Sequence, residues 1–292
     1  IGGVAYNCGL YGLKISVGMG GPLTNAALAA WDWCVTHRDD NPAKPIVAIS
    51  NSWGGNIPFN NAAAADAFSP AFAAAADTVT AAGITILAAS GNNGYAGQGI
   101  SWPAAMSKVI SVGAVDDTTD QVAWYSNTAE NLDILAPAHW MYTTDIVGAA
   151  GYDPGDYFPY FAGTSSACPF AAGCVAVIQH AAMTRSGIFL APAQVRELLI
   201  KTGDPVTDTK VPITKPRVNL GAAIAGFAGP PIYIEQGCEL NGWVAPDSNN
   251  YWGWDPNLWG DSNMLEEDPN FVFGLSLIHI SEPTRLGMIS YA

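Results

Sequence analysis

The chain has 292 residues, 49% of them hydrophobic and 12% charged, with a formal net charge of -14. That length accommodates one large domain and an appendage, and the apolar content argues for a packed globule rather than a disordered chain. The excess of carboxylates speaks against a nucleic-acid or anionic-membrane partner, because phosphate binding relies on clustered Lys and Arg.

From the N-terminus, short apolar runs alternate with Ala-rich helical stretches: LYGLKISV (10–17), TNAALAAWDWCVTH (24–37), PIVAIS (45–50), AAAADAFSPAFAAAADTVTAAG (62–83), ITILAAS (84–90) and KVISVGAV (108–115). This alternation predicts a parallel sheet with covering helices, whose ligands bind beyond the carboxyl ends of the strands. The loops at those ends read SNSWGGN (50–56) and SGNNG (90–94). LDILAP (132–137) predicts another strand, SSACPFAAGCVAVIQHAAM (165–183) a long buried helix, and AQVRELLIKTG (193–203) a short amphipathic helix closed by Gly203. Pro169 is tolerated about one turn into the long helix, which therefore begins near Ser165 or Ser166. A hydroxyl at that mouth meets unpaired backbone N–H groups that favour developing negative charge.

No run of 18 apolar residues appears, so no spanning helix is expected, and the first residues lack the regions of a signal peptide. They read as the middle of a domain. Cys8, Cys34, Cys168, Cys174 and Cys238 show no metal-ligand spacing, and their odd number leaves at least one thiol unpaired. Composition shifts near residue 230: from Ala228 to Gly274 there are eight acidic residues, no Lys or Arg, and four of the ten tryptophans. The expected division is a domain over 1–226, an acidic Trp-rich appendage or second-domain start over 227–274, and a terminal segment over 275–292. EEDPNFV in the appendage weakly resembles a turn of right-handed β-helix repeats. LSLIHISEPTR (275–285) and the closing ISYA match the translation of a transposase library adapter, so the terminal segment is expected to lie outside the fold as a sequencing artefact.

NSWGG (51–55), ILAASGNNG (86–94) and GTSSACP (163–169), in this order, resemble blocks of the subtilisin-like serine peptidases. GVAYNCGLYGLKI, SWPAAMSKVISVGAV, YSNTAENLDILAP and RVNLGAAI add to the resemblance, which covers roughly residues 1–226. It implies an α/β three-layer sandwich with a mostly parallel central sheet, truncated at its N-terminus. It also implies a serine endopeptidase acting through an acyl-enzyme on peptide or protein substrates, secreted or at the cell surface.

Residue by residue, Ser165 matches the family nucleophile and Asn92 the oxyanion-hole side chain. Ser52, Trp53 and Gly54 match the strand edge that pairs with an extended substrate. Ala89, Ser90 and Gly91 match the opposite wall of the pocket for the residue before the cut, walls that leave room for a medium or large apolar residue. Trp53 stands where the family often has a smaller apolar residue, and either narrows a subsite or packs in the core. Phe170 and Cys168 also depart from the family pattern, with consequences for packing alone. No cofactor is expected. Calcium is common in the family, but DDTTD (116–120) reads as a solvated turn without ligand geometry.

The family's triad Asp and His, in DTG-like and HGTHVAG-like motifs, have no match. His180 lies 15 residues beyond Ser165, roughly 22 Å along the same helix. His37 and His139 read as solvated or satisfied histidines, and His279 falls in the adapter-like segment. The chain as given is therefore expected to be inactive, beginning just after its base. The alternative is a degenerate scaffold that binds peptides or surfaces without catalysis; intact Ser165 and Asn92 speak against it.

Overall fold

A computed structural model describes residues 3–16, 24–148 and 150–225, together with the backbone of 274–278. Strand β1 (Gly9–Gly12) is followed by helix α1 (Thr24–Thr36), β2 (Ile46–Asn51), β3 (Pro58–Phe59), α2 (Ala62–Phe68), α3 (Pro70–Ala81), β4 (Thr85–Ala89), β5 (Ile100–Ser101) and β6 (Val109–Asp116). Then come β7 (Gln121–Val122), β8 (Ile134–Pro137), β9 (Met141–Thr144), β10 (Tyr157–Phe161), α4 (Thr164–Ser186), α5 (Pro192–Thr202), β11 (Asp204–Thr207), β12 (Thr214–Arg217), α6 (Leu220–Ala225) and β13 (Gly274–Ile278).

The main sheet runs β1-β13-β2-β4-β6-β8-β12-β11, with β7 on the end of β6. Its neighbours from β1 through β12 are parallel, and β11–β12 is an antiparallel hairpin. Side chains of the central strands divide between two separate cores, alternating strictly along β4, where Ile86 and Ala88 face one and Leu87 and Ala89 the other. Ile46, Ile49, Ile86, Ala88 and Val109 pack with Trp31 of α1 and Phe72 of α3. Val47, Leu87, Ala89, Ile110 and Val112 pack with Ala167, Ala171 and Val175 of α4. Period-two alternation with apolar residues on both faces is what a sheet covered by helices on each side requires. The expected three-layer α/β sandwich with a mostly parallel sheet is thus the observed architecture.

Local chemistry sets the helix limits. The predicted helical stretch over 62–83 breaks at Ser69, because the residue before Pro70 is driven out of the helical region; Ser69 has ψ 87°. Asn61 caps α2 by accepting from the Ala64 N–H. The helix α4 ends on Gly187 in the left-handed conformation (φ 68°). It is long and apolar enough to cross a membrane, but 72% of its most apolar window is buried within the domain, as befits a core helix.

Two placements differ from the sequence reading. Of LYGLKISV, Leu10, Tyr11 and Gly12 fall in β1, which begins one residue earlier at Gly9. The backbone of Gly274–Ile278, almost all within the adapter-like segment, forms β13 between β1 and β2. Pairing there is made by main-chain groups and so does not depend on which side chains the strand carries. Residues 226–273, which hold all of the 227–274 appendage but Gly274, with its EEDPNFV turn and Cys238, lie outside the described residues, as does His279.

Candidate active site

The parallel strands β2 and β4 pair with Asn51 opposite Ala88, so residues 52–56 and 89–92 leave the sheet side by side at its carboxyl edge. Between them lies a cleft of about 20 Å³, lined by Ser52, Trp53, Gly54, Gly55, Asn56, Ala89, Gly91, Asn92, Ser101, Thr164 and Ser165. Seven of the eight residues predicted for the site therefore meet at one cleft. Ser90 does not. It is fully buried behind the wall, where its hydroxyl donates to the Asn127 carbonyl.

Ser165 sits in the first turn of α4. Gly163 precedes it with φ 98°, a conformation that L side chains rarely adopt, and this turns the chain sharply from β10 into the helix. Ser166 and Ala167 direct their N–H groups to the Gly163 carbonyl. No acceptor among the described residues takes the Ser165 N–H. Ser52 Oγ donates to the Ser165 carbonyl at 2.8 Å, tying one wall of the cleft to the helix.

Asn92 is held by its carbonyl end. Its Oδ1 accepts from the Thr164 N–H at 2.8 Å and from Thr164 Oγ1 at 2.9 Å. An amide fixed through its oxygen presents its nitrogen on the other side, and Nδ2 lies 3.3 Å from where a methyl group on Gly163 would stand. Thr164 Oγ1 in turn accepts from the Gly91 N–H at 3.2 Å. The second wall and the helix mouth are thereby one hydrogen-bonded unit.

Four further residues build this site, and sequence reasoning did not find them. Asn127 is fully buried and uses every hydrogen-bonding position of its amide. Nδ2 donates to Ser90 O (3.0 Å) and Ser101 Oγ (3.3 Å), and Oδ1 accepts from the N–H groups of Asn93 and Tyr95, both at 3.0 Å. Tyr125 Oη accepts from Gly163 N–H (3.1 Å) and donates to Ala138 O (3.0 Å), bracing the turn before the nucleophile candidate. Burial pushes the Tyr125 hydroxyl up to about 12, against the opposing bond from Gly163.

Asn51 Oδ1 accepts from the indole nitrogens of both Trp31 and Trp53, each at 3.1 Å, while its Nδ2 donates to Leu87 O. Trp53 is accordingly 4% exposed and packs edge-on against Phe72 and Trp102. It is a core residue with one edge on the cleft. Thr164 is the fourth. All four stand inside blocks of the resemblance, Asn51 in NSWGG, Thr164 in GTSSACP, and Tyr125 and Asn127 in YSNTAENLDILAP.

The three described histidines have partners elsewhere. His37 stacks on Trp33 and its Nδ1 contacts Trp33 O at 2.9 Å. His139 stacks on Trp140 and lies 4.0 Å from Asp116. His180 meets Thr184 one turn on. In the 116–120 turn, Asp116 Oδ1 accepts from the Thr118 and Thr119 N–H groups and Asp120 pairs with Arg217, so these carboxylates are engaged by protein groups. Among the described residues no three His, Cys, Asp or Glu gather as a metal site would need.

A family model for the subtilase family matches residues 1–221. The chain belongs to the subtilase family. This subtilase chain is similar to the serine protease AprX of Bacillus subtilis (strain 168), 30% identical over 216 residues that make up 68% of this chain and 47% of that protein. It is similar also to subtilisin DY of Bacillus licheniformis, 31% identical over 209 residues, 71% of this chain and 65% of the relative. It thus spans about half to two thirds of these relatives' lengths. In fold it is similar to the prenylagaramide maturation protease PagA, with a TM-score of 0.57 at 21% identity over 74% of this chain and 72% of that one. A protease from Pseudoalteromonas arctica also gives 0.57, at 22% identity over 71% and 60%.

Proposed function

We propose that this subtilase chain is the nucleophile-bearing part of a serine endopeptidase that hydrolyses peptide or protein substrates outside the cell or at its surface. The observation that carries the reading is the single cleft that holds Ser165 at a helix mouth beside an Asn92 amide braced through its oxygen. In the proposed reaction Ser165 Oγ attacks the scissile carbonyl and loses its proton to a base. Asn92 Nδ2 and the Ser165 N–H hold the resulting oxyanion. Collapse releases the amine and leaves an acyl-enzyme for water to hydrolyse. Ser52, Trp53 and Gly54 would align the substrate as an added strand, with Ala89 and Gly91 opposite.

Since His37, His139 and His180 are engaged elsewhere, the 292-residue chain by itself is proposed to lack a base at Ser165 and to be inactive on peptides. The test therefore uses the protein encoded by the complete gene. A fluorophosphonate probe should label Ser165 and not the Ser165→Ala variant. Asn92→Ala should lower kcat by about 10²- to 10³-fold with little change in KM, since the lost bond is made to the transition state. A gene-length protein that takes up no probe would instead support the second reading, a peptide- or surface-binding module without catalysis.

A further inference from the structure

Ser101 lines the cleft, and Trp102 is the next residue along the chain. The Ser101 N–H donates to Ser90 O behind one wall, and Trp102 O accepts from the Gly55 N–H in the other, so the two residues span both sides. Both walls pack tightly against these two residues and their neighbour Asn127. A methyl group on Gly91 would stand 2.2 Å from Ser101 Oγ and 2.4 Å from Asn127 Nδ2, and one on Gly54 would stand 2.5 Å from Trp102 O. The cleft is open at its mouth, with room of about 20 Å³ between its walls.

The Ser101 face of the cleft is also polar. Ser101 Oγ accepts from Asn127 Nδ2, and Asn127 has no hydrogen-bonding position left to change partner. A serine hydroxyl carries one proton of its own, and among the described residues nothing accepts it. Ser101 lines the cleft, so that proton is available to a group entering it.

We propose that Ser101 makes this cleft selective for a short hydroxyl-bearing side chain, serine or threonine, in the residue on the acyl side of the scissile bond. The hydroxyl of that side chain accepts the Ser101 proton, and the Ser101 side chain, packed tightly against Gly91, shortens the cleft against aromatic side chains. This replaces the sequence-based expectation of a medium or large apolar residue. It rests on the proposed function for the identity of the cleft, and names its substrate class.

The test measures dissociation constants of Ala-Ala-Pro-X amides for the 292-residue chain by ligand-observed NMR, with X as Thr, Val or Phe. Thr and Val have nearly the same shape, so their ratio reads the hydrogen bond; Phe reads depth. Thr should bind about 5- to 10-fold more tightly than Val, the range of one net hydrogen bond, and Phe more weakly than either. Ser101→Ala should bring the Thr to Val ratio to about one while Phe stays excluded, as expected for loss of a single hydroxyl. Ser101→Gly should lengthen the cleft and improve Phe. Circular dichroism confirms that both variants fold.

Val binding as well as Thr, Phe binding as well as Thr, or no binding by any of the three overturns the proposal. Binding needs no catalysis, so these outcomes are separate from fluorophosphonate labelling of the gene-length protein. An unlabelled Ser165 with a Thr preference would refute the reaction and leave the selectivity standing.

Discussion

Two side chains set the geometry of the cleft without lining it. Asn127 joins loop 90–95 to the Ser101 strand through four bonds, with its side chain buried. Asn127→Ala strands the N–H groups of Asn93 and Tyr95, and should cost roughly 2–4 kcal/mol in urea unfolding, with a cost near zero showing that water replaces the amide. Tyr125 gives a pH test. Its hydroxyl titrates near 10 when unfolded and at about 12 when folded, so between those values the unfolded chain gives up a proton that the folded one keeps. The stabilisation is complete below pH 10 and is lost as pH rises toward 12. Tyr125→Phe should be less stable than the parent at pH 8, and the gap should narrow from pH 10 upward; a constant gap would mean the hydroxyl is not held neutral by the fold.

At the scale of elements, α4 does two jobs at once, since its first turn presents Ser165 while its following turns fill the core beneath the sheet. The helix therefore cannot shift to accommodate change at either end. Burial pushes Cys168 to about 11 and Cys174 to about 12, so neither holds a thiolate near neutrality. Iodoacetamide at pH 8 should modify the half-buried Cys8 first and reach Cys168 and Cys174 only on unfolding. Equal rates for all three would show that α4 opens readily. On the other side of the sheet, Phe72 stands between Trp31, Trp53 and Trp102. Truncation there to alanine would cost ~3–5 kcal/mol and loosen one wall of the cleft with it.

For the whole molecule, the informative feature is the sheet order. The strands β1 and β2 have no direct pairing; β13, drawn from the far end of the chain, stands between them with main-chain partners on both sides. A chain ending at residue 273 would leave β2 with a free edge. It should melt roughly 5 °C or more lower than the full chain, and should self-associate as concentration rises, because open edges pair with other strands. An unchanged melting point would show that β13 contributes nothing to the sheet.

The sequence by itself determined the alternation of strands and helices, the two loops that leave the sheet together, and the hydroxyl at the mouth of α4. All of these rest on periodicity and on Gly, Pro and Ser placed within a few positions of one another. The helix break at Ser69 was equally local and was there to be read in the Ser-Pro pair. Only the tertiary structure decided that Ser90 turns away from the cleft, that Trp53 is a core residue, that Ser101 lines the cleft and that Asn127 holds Ser101 in place. The bonds of Asn127 to Ser101 and Ser90 join residues 26 and 37 positions apart. Which of many buried polar groups meet at such separations follows from closure of the sheet and its packed layers, not from the character of their neighbours along the chain.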